Sequence, residues 1–290
     1  MRELWRDLQG DQGGATLVWV TLSMVALIAM VALTIDGGYA YAQRRRMQNA
    51  ADAAAIAGAR LRALGGTTVQ VGSVVNQYAT ANGANGVSWT YPSSQKVQVT
   101  ASCTFPTFFA GIIGLPQMTA SAVAEASIQY LSEAGNLLPM RIKDDDYGIG
   151  QPCVLWDKDD AMKGSFGWLD WDGVPVSAVE LEDNIANPSN SGFLAIGSWV
   201  PVGPGVKASS QVQSALNTWI GQHVTIPFYD EVQGEGANTR YRIAGFGEFV
   251  LTDYNFQGGD KWVSGYFRRW VEFGPGGGPN RGLSSVRLTQ

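Results

Sequence analysis

The pattern of hydrophobic and polar positions opens with a long apolar run. Residues 15–35 carry no charge, and a helix of that length covers the roughly 30 Å hydrocarbon core of a bilayer at about 1.5 Å per residue. The run predicts a transmembrane helix. Strong helix formers continue beyond it until Gly65 and Gly66, so the helix is predicted to extend into an alanine-rich stem.

Small residues recur along the predicted stem at helical spacing. Ala50, Ala54 and Gly58 stand four residues apart, which places them on one helical face that a neighbouring element can approach closely. Two interpretations are open. The face packs against the chain's own domain, which is the simpler arrangement, or it packs against another subunit.

The residues after the stem predict one helix and three strands. Apolar residues in 69–81 share a helical face, and strict alternation predicts strands over 87–91, 96–105 and 118–130. The segment 106–116 is apolar and bounded by prolines, which predicts a short helix or loop. At this length a buried core segment is favoured over one that dips into a bilayer surface.

The composition of the sequence changes near Gly135, after which aromatic residues, glycines and prolines become more frequent. The periodicity is then mainly that of strands, with one helix predicted over 209–221. The pattern predicts an α+β protein with two lobes. Its expected parts are residues 1–14, a membrane helix at 15–35, a stem and αβ lobe at 36–134, and a β-rich lobe with one helix at 135–290.

Composition narrows the classes of function. The net charge of -5 and the pI near 4.9 disfavour nucleic acid, because phosphate binding needs clustered Lys and Arg. The chain has one histidine and two cysteines, too few for a zinc site at the usual spacings. No G-x-S-x-G elbow accompanies His223, which is interpreted as structural. We therefore expect no catalytic residue and no cofactor.

Acidic and aromatic residues between 156 and 172 support two hypotheses. Carboxylates could bind calcium, although the spacing around DWDG at 170–173 does not fit an EF-hand loop. Carboxylates with tryptophans could instead line a carbohydrate cleft, which gives an alternative function as a membrane-tethered carbohydrate-binding or hydrolytic ectodomain. Solvated turns and buried aromatic residues are the simpler explanation. The acids are Asp157, Asp159, Asp170 and Asp172, and the tryptophans are Trp156, Trp168 and Trp171.

The two cysteines also leave two interpretations open. Cys103 and Cys153 lie fifty residues apart, which fits no metal motif. A disulfide between them would tie the two lobes together in an oxidising compartment, provided that their Cα atoms approach within about 7 Å. The alternative is two separate buried thiols.

Charge alone does not fix the direction of the membrane helix. Arg44, Arg45 and Arg46 follow the apolar run, whereas Arg2 and Arg6 precede it, so the positive-inside rule would keep the C-terminal part in the cytoplasm. Long exported domains often override that rule, and a domain with two cysteines at moderate spacing is typical of exported proteins. Cleavage after the AYA of 40–42 is a further alternative, although the apolar run is long for a signal peptide.

These residues together resemble a known family. The segment that follows the apolar run reads IDGGYAYAQRRRMQNAADAAAIAGA. It is similar to TadE/TadG-like proteins associated with Flp (tight-adherence) pilus assembly, and the aspartate behind the span combined with the alanine run is the specific part of the match. The similarity continues through QYATANG, KVQVTASCTF, FFAGIIG and ASAVAEAS.

The resemblance implies a location and a role. It implies a single-pass protein of the cytoplasmic (inner) membrane, with a short cytoplasmic N-terminus, a small pilin-like αβ lobe and an extracytoplasmic C-terminal domain. Members look like accessory or pseudopilin-like components, so the expected partners are the lipid bilayer and other Tad/Flp proteins. Asp36 and the three arginines would then lie just outside the membrane. Some relatives carry a von Willebrand A domain, but its Asp-x-Ser-x-Ser metal motif is absent from this sequence.

Overall fold

One continuous helix dominates the N-terminal part of the protein. The computed structural model describes residues 12–144, 147–155, 168–173, 177–203, 209–257 and 262–289. Its longest element is α1 (Gln12–Ala63), which contains both the apolar run and the alanine-rich stem. The helix passes through Gly37 and Gly38 without a break and ends before Gly65, whose φ of 89° favours glycine. The predicted extension of the membrane helix into the stem is confirmed.

A short helix and an antiparallel meander follow α1. The helix begins with a capping box, in which the Thr67 hydroxyl accepts from the Gln70 N–H and the Gln70 side chain accepts from the Thr67 N–H. These elements are α2 (Thr68–Ala81), β1 (Gly86–Ser93), β2 (Lys96–Pro106), a 3-10 helix (Ala110–Ile113) and β3 (Gln117–Tyr130).

The described residues beyond β3 are mostly in strands and connections, interrupted by two α-helices. In chain order its elements are β4 (Glu133–Ala134), β5 (Ile142–Lys143), β6 (Pro152–Leu155), α3 (Ala178–Ala186), a 3-10 helix (Pro188–Ser191), β7 (Leu194–Ala195), β8 (Trp199–Pro201), α4 (Ser210–Asn217), β9 (His223–Gln233), a 3-10 helix (Gly236–Asn238), β10 (Arg240–Asn255), β11 (Trp262–Arg268), β12 (Trp270–Val271) and β13 (Leu283–Leu288).

The first sheet contains strands from both ends of the described chain. Its order is β1-β2-β3-β13-β12, and β13 runs antiparallel to β3. The pairing places Ser284 opposite Tyr130 and Leu288 opposite Ala126. The last strand therefore completes the sheet that the first three begin, and most of the β-rich lobe lies between them in sequence.

The first core lies between this sheet and the stem. Alternate side chains of β2 are buried from Val97 to Phe105, as the alternating pattern predicts. On β3 the buried set is mostly alanine, which lets α1 lie close to the sheet. Helix α2 closes the core from the side with Val71, Val75 and Ala79.

The second sheet is larger and carries the other two helices. Its order is β5-β9-β10-β11-β6, with β8 also paired to β10. Leu181 and Ile185 of α3 pack with Val212 and Leu216 of α4 against aromatic residues of the sheet. A third cluster places Leu283 of β13 with residues of β10, and so joins the two sheets.

The predicted fold class is confirmed: a long apolar helix precedes a mixed α+β protein whose C-terminal part is rich in strands. Strand β11 lies in the interior of the second sheet, between β10 and β6. The sequence predicts one helix in this part, and the structure has a second, α3. The sequence pattern does not predict α3 because the helix has a short apolar face, of which only Leu181 and Ile185 are fully buried.

Candidate functional site

The exposure of the side chains of α1 changes at Asp36. Before that position the apolar side chains are exposed, and Leu33 reaches 76%. Among the described residues, α1 is the one helix with the length and composition to cross a membrane. Asp36 itself is only 6% exposed. The side chains that contact the rest of the protein therefore begin where the apolar run ends.

Asp36 holds the connection between β2 and β3 through its carboxylate. Oδ1 accepts from the Phe108 N–H at 2.8 Å, and Oδ2 accepts from the N–H groups of Phe109 and Ala110 at 3.0 and 2.7 Å. A charged acceptor forms stronger hydrogen bonds with backbone donors than a neutral one. Tyr39 adds edge contacts, with its ring centroid 5.4 Å from that of Phe108. The sequence singles out Asp36, but these partners are more than seventy residues away.

The three arginines after the apolar run do not share one environment. Arg44 and Arg45 are exposed on α1. The Arg46 Nε donates to the carbonyl oxygen of Asn82 at 3.1 Å, at the end of α2. One member of the basic cluster thus binds the protein's own lobe.

The small-residue face of the stem points into the protein. Ala50 and Ala54 are fully buried in the first core. A Cβ added at Gly58 would lie 2.7 Å from Cγ2 of Val75 and 3.3 Å from Cγ1 of Val97. Close packing against the chain's own α2 and β2 therefore accounts for this face.

A cleft in the second lobe is lined by ionisable and aromatic side chains that come from separate parts of the sequence. Its volume is about 400 Å³, and its lining includes His223, Glu248, Trp219, Trp270 and Glu272. The His223 Nδ1 pairs with Oε1 of Glu248, whose other oxygen accepts from the Thr225 hydroxyl at 3.1 Å.

Aromatic packing surrounds this hydrogen-bonded pair. The rings of His223 and Trp270 lie 4.7 Å apart, and the Arg268 guanidinium lies 4.5 Å from the Trp270 ring. His223 is therefore paired, as expected for a structural histidine, yet it also faces the cleft. The sequence alone does not pair Glu248 with His223. Their side chains meet because of the register of two strands, in which Thr225 lies opposite Glu248.

Two of the predicted calcium ligands lie close together. Oxygens of Asp170, Asp172 and Glu180 lie within 4.8 Å of one another. Burial raises the pKa of Asp170, and the neighbouring Asp172 carboxylate raises it further. Hard oxygen ligands of this kind suit calcium. Asp157 and Asp159 fall outside the described residues.

Each of these acids also has a local structural role. Oδ1 of Asp170 accepts from the N–H groups of Asp172 and Gly173, both at 3.2 Å. Glu180 forms the capping box of α3 with Ser177. Trp168 is only 1% exposed and offers no face to a sugar, and Trp156 falls outside the described residues.

The two cysteines are not bonded to each other. Cys103 lies in the first core, with its Sγ 3.6 Å from Oε1 of Gln43. Cys153 lies on β6 opposite Gly265, in the second sheet, and burial raises the pKa of its thiol to about 11. The structure thus shows two free thiols in separate sheets rather than a link between the lobes.

Comparison with known proteins identifies the N-terminal segment. Residues 13–61 match the model of the family described as Flp pilus-assembly TadE/G-like. Searches of curated proteins and of solved structures found no significant match. The match covers the apolar run and nearly all of the stem, the same residues that form α1. Together with the apolar helix, it indicates a membrane component related to pilus assembly.

Proposed function

We propose that this chain, whose α1 carries the TadE/G-like segment, is a non-enzymatic single-pass component of an Flp/Tad-type pilus-assembly, adhesion or secretion system. It acts through helix packing and an exported domain. The observation that carries the proposal is the division of α1 at Asp36. The matched helix has exposed apolar side chains before this residue and buried contacts with the first lobe after it. A helix of this design anchors a rigid lobe beside a membrane.

The proposal includes a direction. Residues 1–14 lie in the cytoplasm, 15–35 cross the cytoplasmic membrane, and the lobes at 36–134 and 135–290 lie outside the cell membrane. The strongest objection is the basic cluster after the helix. Its weight is reduced because Arg46 already binds the Asn82 carbonyl of the exported lobe. Arg44 and Arg45 remain exposed, where they can meet the headgroups of the outer leaflet.

Labelling a single cysteine tests this direction. A cysteine at Val69, an exposed position beyond the stem, is introduced with Cys103 and Cys153 changed to serine. A membrane-impermeant thiol reagent should label it in right-side-out vesicles and not in sealed inverted vesicles. Labelling confined to inverted vesicles would place the lobes in the cytoplasm. A soluble chain that leaves the membrane without detergent would rule out the anchor.

A second candidate function is ligand binding in the cleft around His223. It takes up the carbohydrate hypothesis but moves it to other residues, because Trp168 is buried whereas Trp219, Trp270 and Glu248 line an open cleft. Carboxylates beside aromatic faces are common in sugar sites.

A saccharide panel applied to the intact protein tests this second candidate. Trp270→Ala should weaken any binding at least tenfold, while Phe193→Ala, at an exposed apolar residue outside the lining, should not. If the panel does not bind, or binds both variants equally, the cleft is not a saccharide site.

A further inference from the structure

The connection between β2 and β3 exposes apolar side chains that the sequence pattern assigns to the core. We call residues 107–115 the apolar loop. It carries no charge, and Ile112 and Ile113 are 85% and 78% exposed, with Phe108 and Leu115 also exposed. The prediction of a buried core segment is therefore wrong. A β-hairpin tip of this kind normally carries polar residues, because exposed apolar surface is costly in water.

The loop lies at the end of the lobe that is nearest the membrane helix. Strand β2 runs alongside α1 in the opposite direction: Arg62 donates to the Ser94 carbonyl at 2.8 Å, and Cys103 contacts Gln43. The next contact in this series joins Asp36 to the apolar loop. The loop therefore begins at the level where the apolar run ends.

The exposure of side chains on α1 agrees with this position of the apolar loop. Ala32 is only partly exposed, whereas Val31 and Leu33 on either side of it are exposed. Ala32 lies about one helical turn before Asp36, on the membrane side. The exposed side chains of the apolar loop are thus continuous with the apolar surface of the predicted membrane span.

Most backbone N–H groups of the loop have hydrogen-bond acceptors within the protein, which suits an environment with little water. Asp36 accepts from three of its N–H groups, and four others bond to carbonyl oxygens of the loop or of Pro116. A backbone donor left without a partner would be costly to bury in lipid. These four bonds run from Thr107 N to Pro116 O, Ile112 N to Phe109 O, Gly114 N to Gly111 O and Leu115 N to Ala110 O.

We propose that the apolar loop inserts into the membrane interface next to α1, with Phe108, Ile112, Ile113 and Leu115 in contact with lipid. The inference rests on the proposed function, because it requires residues 15–35 to span the bilayer. The loop then forms a second, shallow attachment beside the helix. Two attachments fix the tilt and rotation of the lobe on the membrane, and Asp36 transmits that constraint between them.

Spin labels report whether these side chains meet lipid. Single cysteines at Ile112, Leu33 and Val69 are labelled in the full chain, with Cys103 and Cys153 changed to serine. The protein is reconstituted in vesicles of phosphatidylethanolamine and phosphatidylglycerol. Collisions with oxygen, which concentrates in lipid, are compared with collisions with a water-soluble nickel chelate. Leu33 serves as the lipid reference, and Val69 is an exposed apolar control at the opposite end of the lobe, about 40 Å along the stem.

The expected result is that Ile112 resembles Leu33, with accessibility to oxygen at least several-fold higher, relative to the chelate, than at Val69. If Leu33 is in lipid but Ile112 resembles Val69, the loop proposal is wrong and the membrane anchor stands. If Leu33 itself is in water, the anchor fails and the loop proposal fails with it. Protection of Ile112 from both reagents would mean that protein covers the loop, which also contradicts the proposal.

Discussion

Asp36 is a single carboxylate that connects two distant parts of the chain. Its two oxygens accept three backbone N–H groups of residues 108–110, at the start of a short 3-10 helix. Few other side chains could serve all three donors. Asparagine has nearly the same shape but presents an amide group to at least one of these N–H groups.

We expect Asp36→Asn to loosen the apolar loop without unfolding the lobes. Losing a charged acceptor for these partly buried donors costs about 2 kcal/mol, so amide hydrogen exchange at Phe108, Phe109 and Ala110 should speed up at least tenfold. Asp52→Asn is the control, since Asp52 Oδ1 accepts from Gln48 Nε2 of the same helix and this bond does not involve the loop. Unchanged exchange at the three amides would show that Asp36 does not hold the loop.

Asp170 makes a prediction about pH. Its pKa is raised above the ordinary value of 3.8 because the side chain is buried, so the folded chain binds its proton more tightly than the unfolded chain does. The stabilisation is complete below about pH 4 and is lost as the pH rises through the raised pKa. Asp170→Asn keeps an oxygen for the two backbone donors and removes the titration.

The midpoint of urea unfolding, measured from pH 4 to pH 7, checks this prediction. The wild-type protein should lose stability relative to Asp170→Asn as the pH increases. Asp253→Asn, at an exposed carboxylate in the same lobe, is the matched control. Parallel pH profiles for wild type and Asp170→Asn would contradict the prediction.

At the scale of elements, the close packing of the stem requires a residue without a side chain at Gly58. Gly58 lies where α1, α2 and β2 meet, and an added methyl group would come within 2.7 Å of Val75. Gly38 lies in the same helix, but its added Cβ would have no neighbour within 4 Å. The two glycines differ in their surroundings and share their helical backbone.

Alanine at these two positions should have opposite effects on stability. Gly58→Ala overpacks the core and should lower the free energy of unfolding by about 1–3 kcal/mol. Gly38→Ala should raise it by about 0.5–1 kcal/mol, because alanine favours the helix. Denaturant unfolding in detergent micelles measures both. Equal effects would show that the stem is less tightly packed than described.

Elements whose pattern comes from a single buried face could be predicted from the sequence. The alternation from Val97 to Phe105 gave the buried face of β2 correctly, because one side of that strand meets the core. The apolar loop was misassigned because hydrophobicity alone does not distinguish burial in protein from exposure next to a membrane. The pairing of His223 with Glu248 was also beyond prediction, since it depends on strand register.

At the scale of the molecule, the two sheets are joined by the return of the last strand. Ser284 and Ser285 are buried in the pairing of β13 with β3. Beyond β13, the Thr289 N–H donates to the Glu125 carbonyl at 2.8 Å. The membrane helix and its family could be inferred locally, whereas this closure links residues more than 150 positions apart and leaves no local pattern.

Removing residues 283–290 should therefore damage the first lobe more than the second. The deletion opens the edge of β3 and exposes alanine-rich core, so protease sites in 96–130 should be cleaved at least tenfold faster than sites in 223–268. Arg287→Ala, at an exposed position in the same strand, should leave cleavage unchanged. Equal protection of both lobes after the deletion would show that β13 is dispensable.

The position of β13 also sets an order for biogenesis. Domains usually begin to fold as they emerge, N-terminal part first, but the first sheet lacks an interior strand until residues 283–288 arrive. We expect the first lobe to remain unfinished while the second lobe is synthesised. Completion of the first sheet then depends on synthesis having reached residue 288.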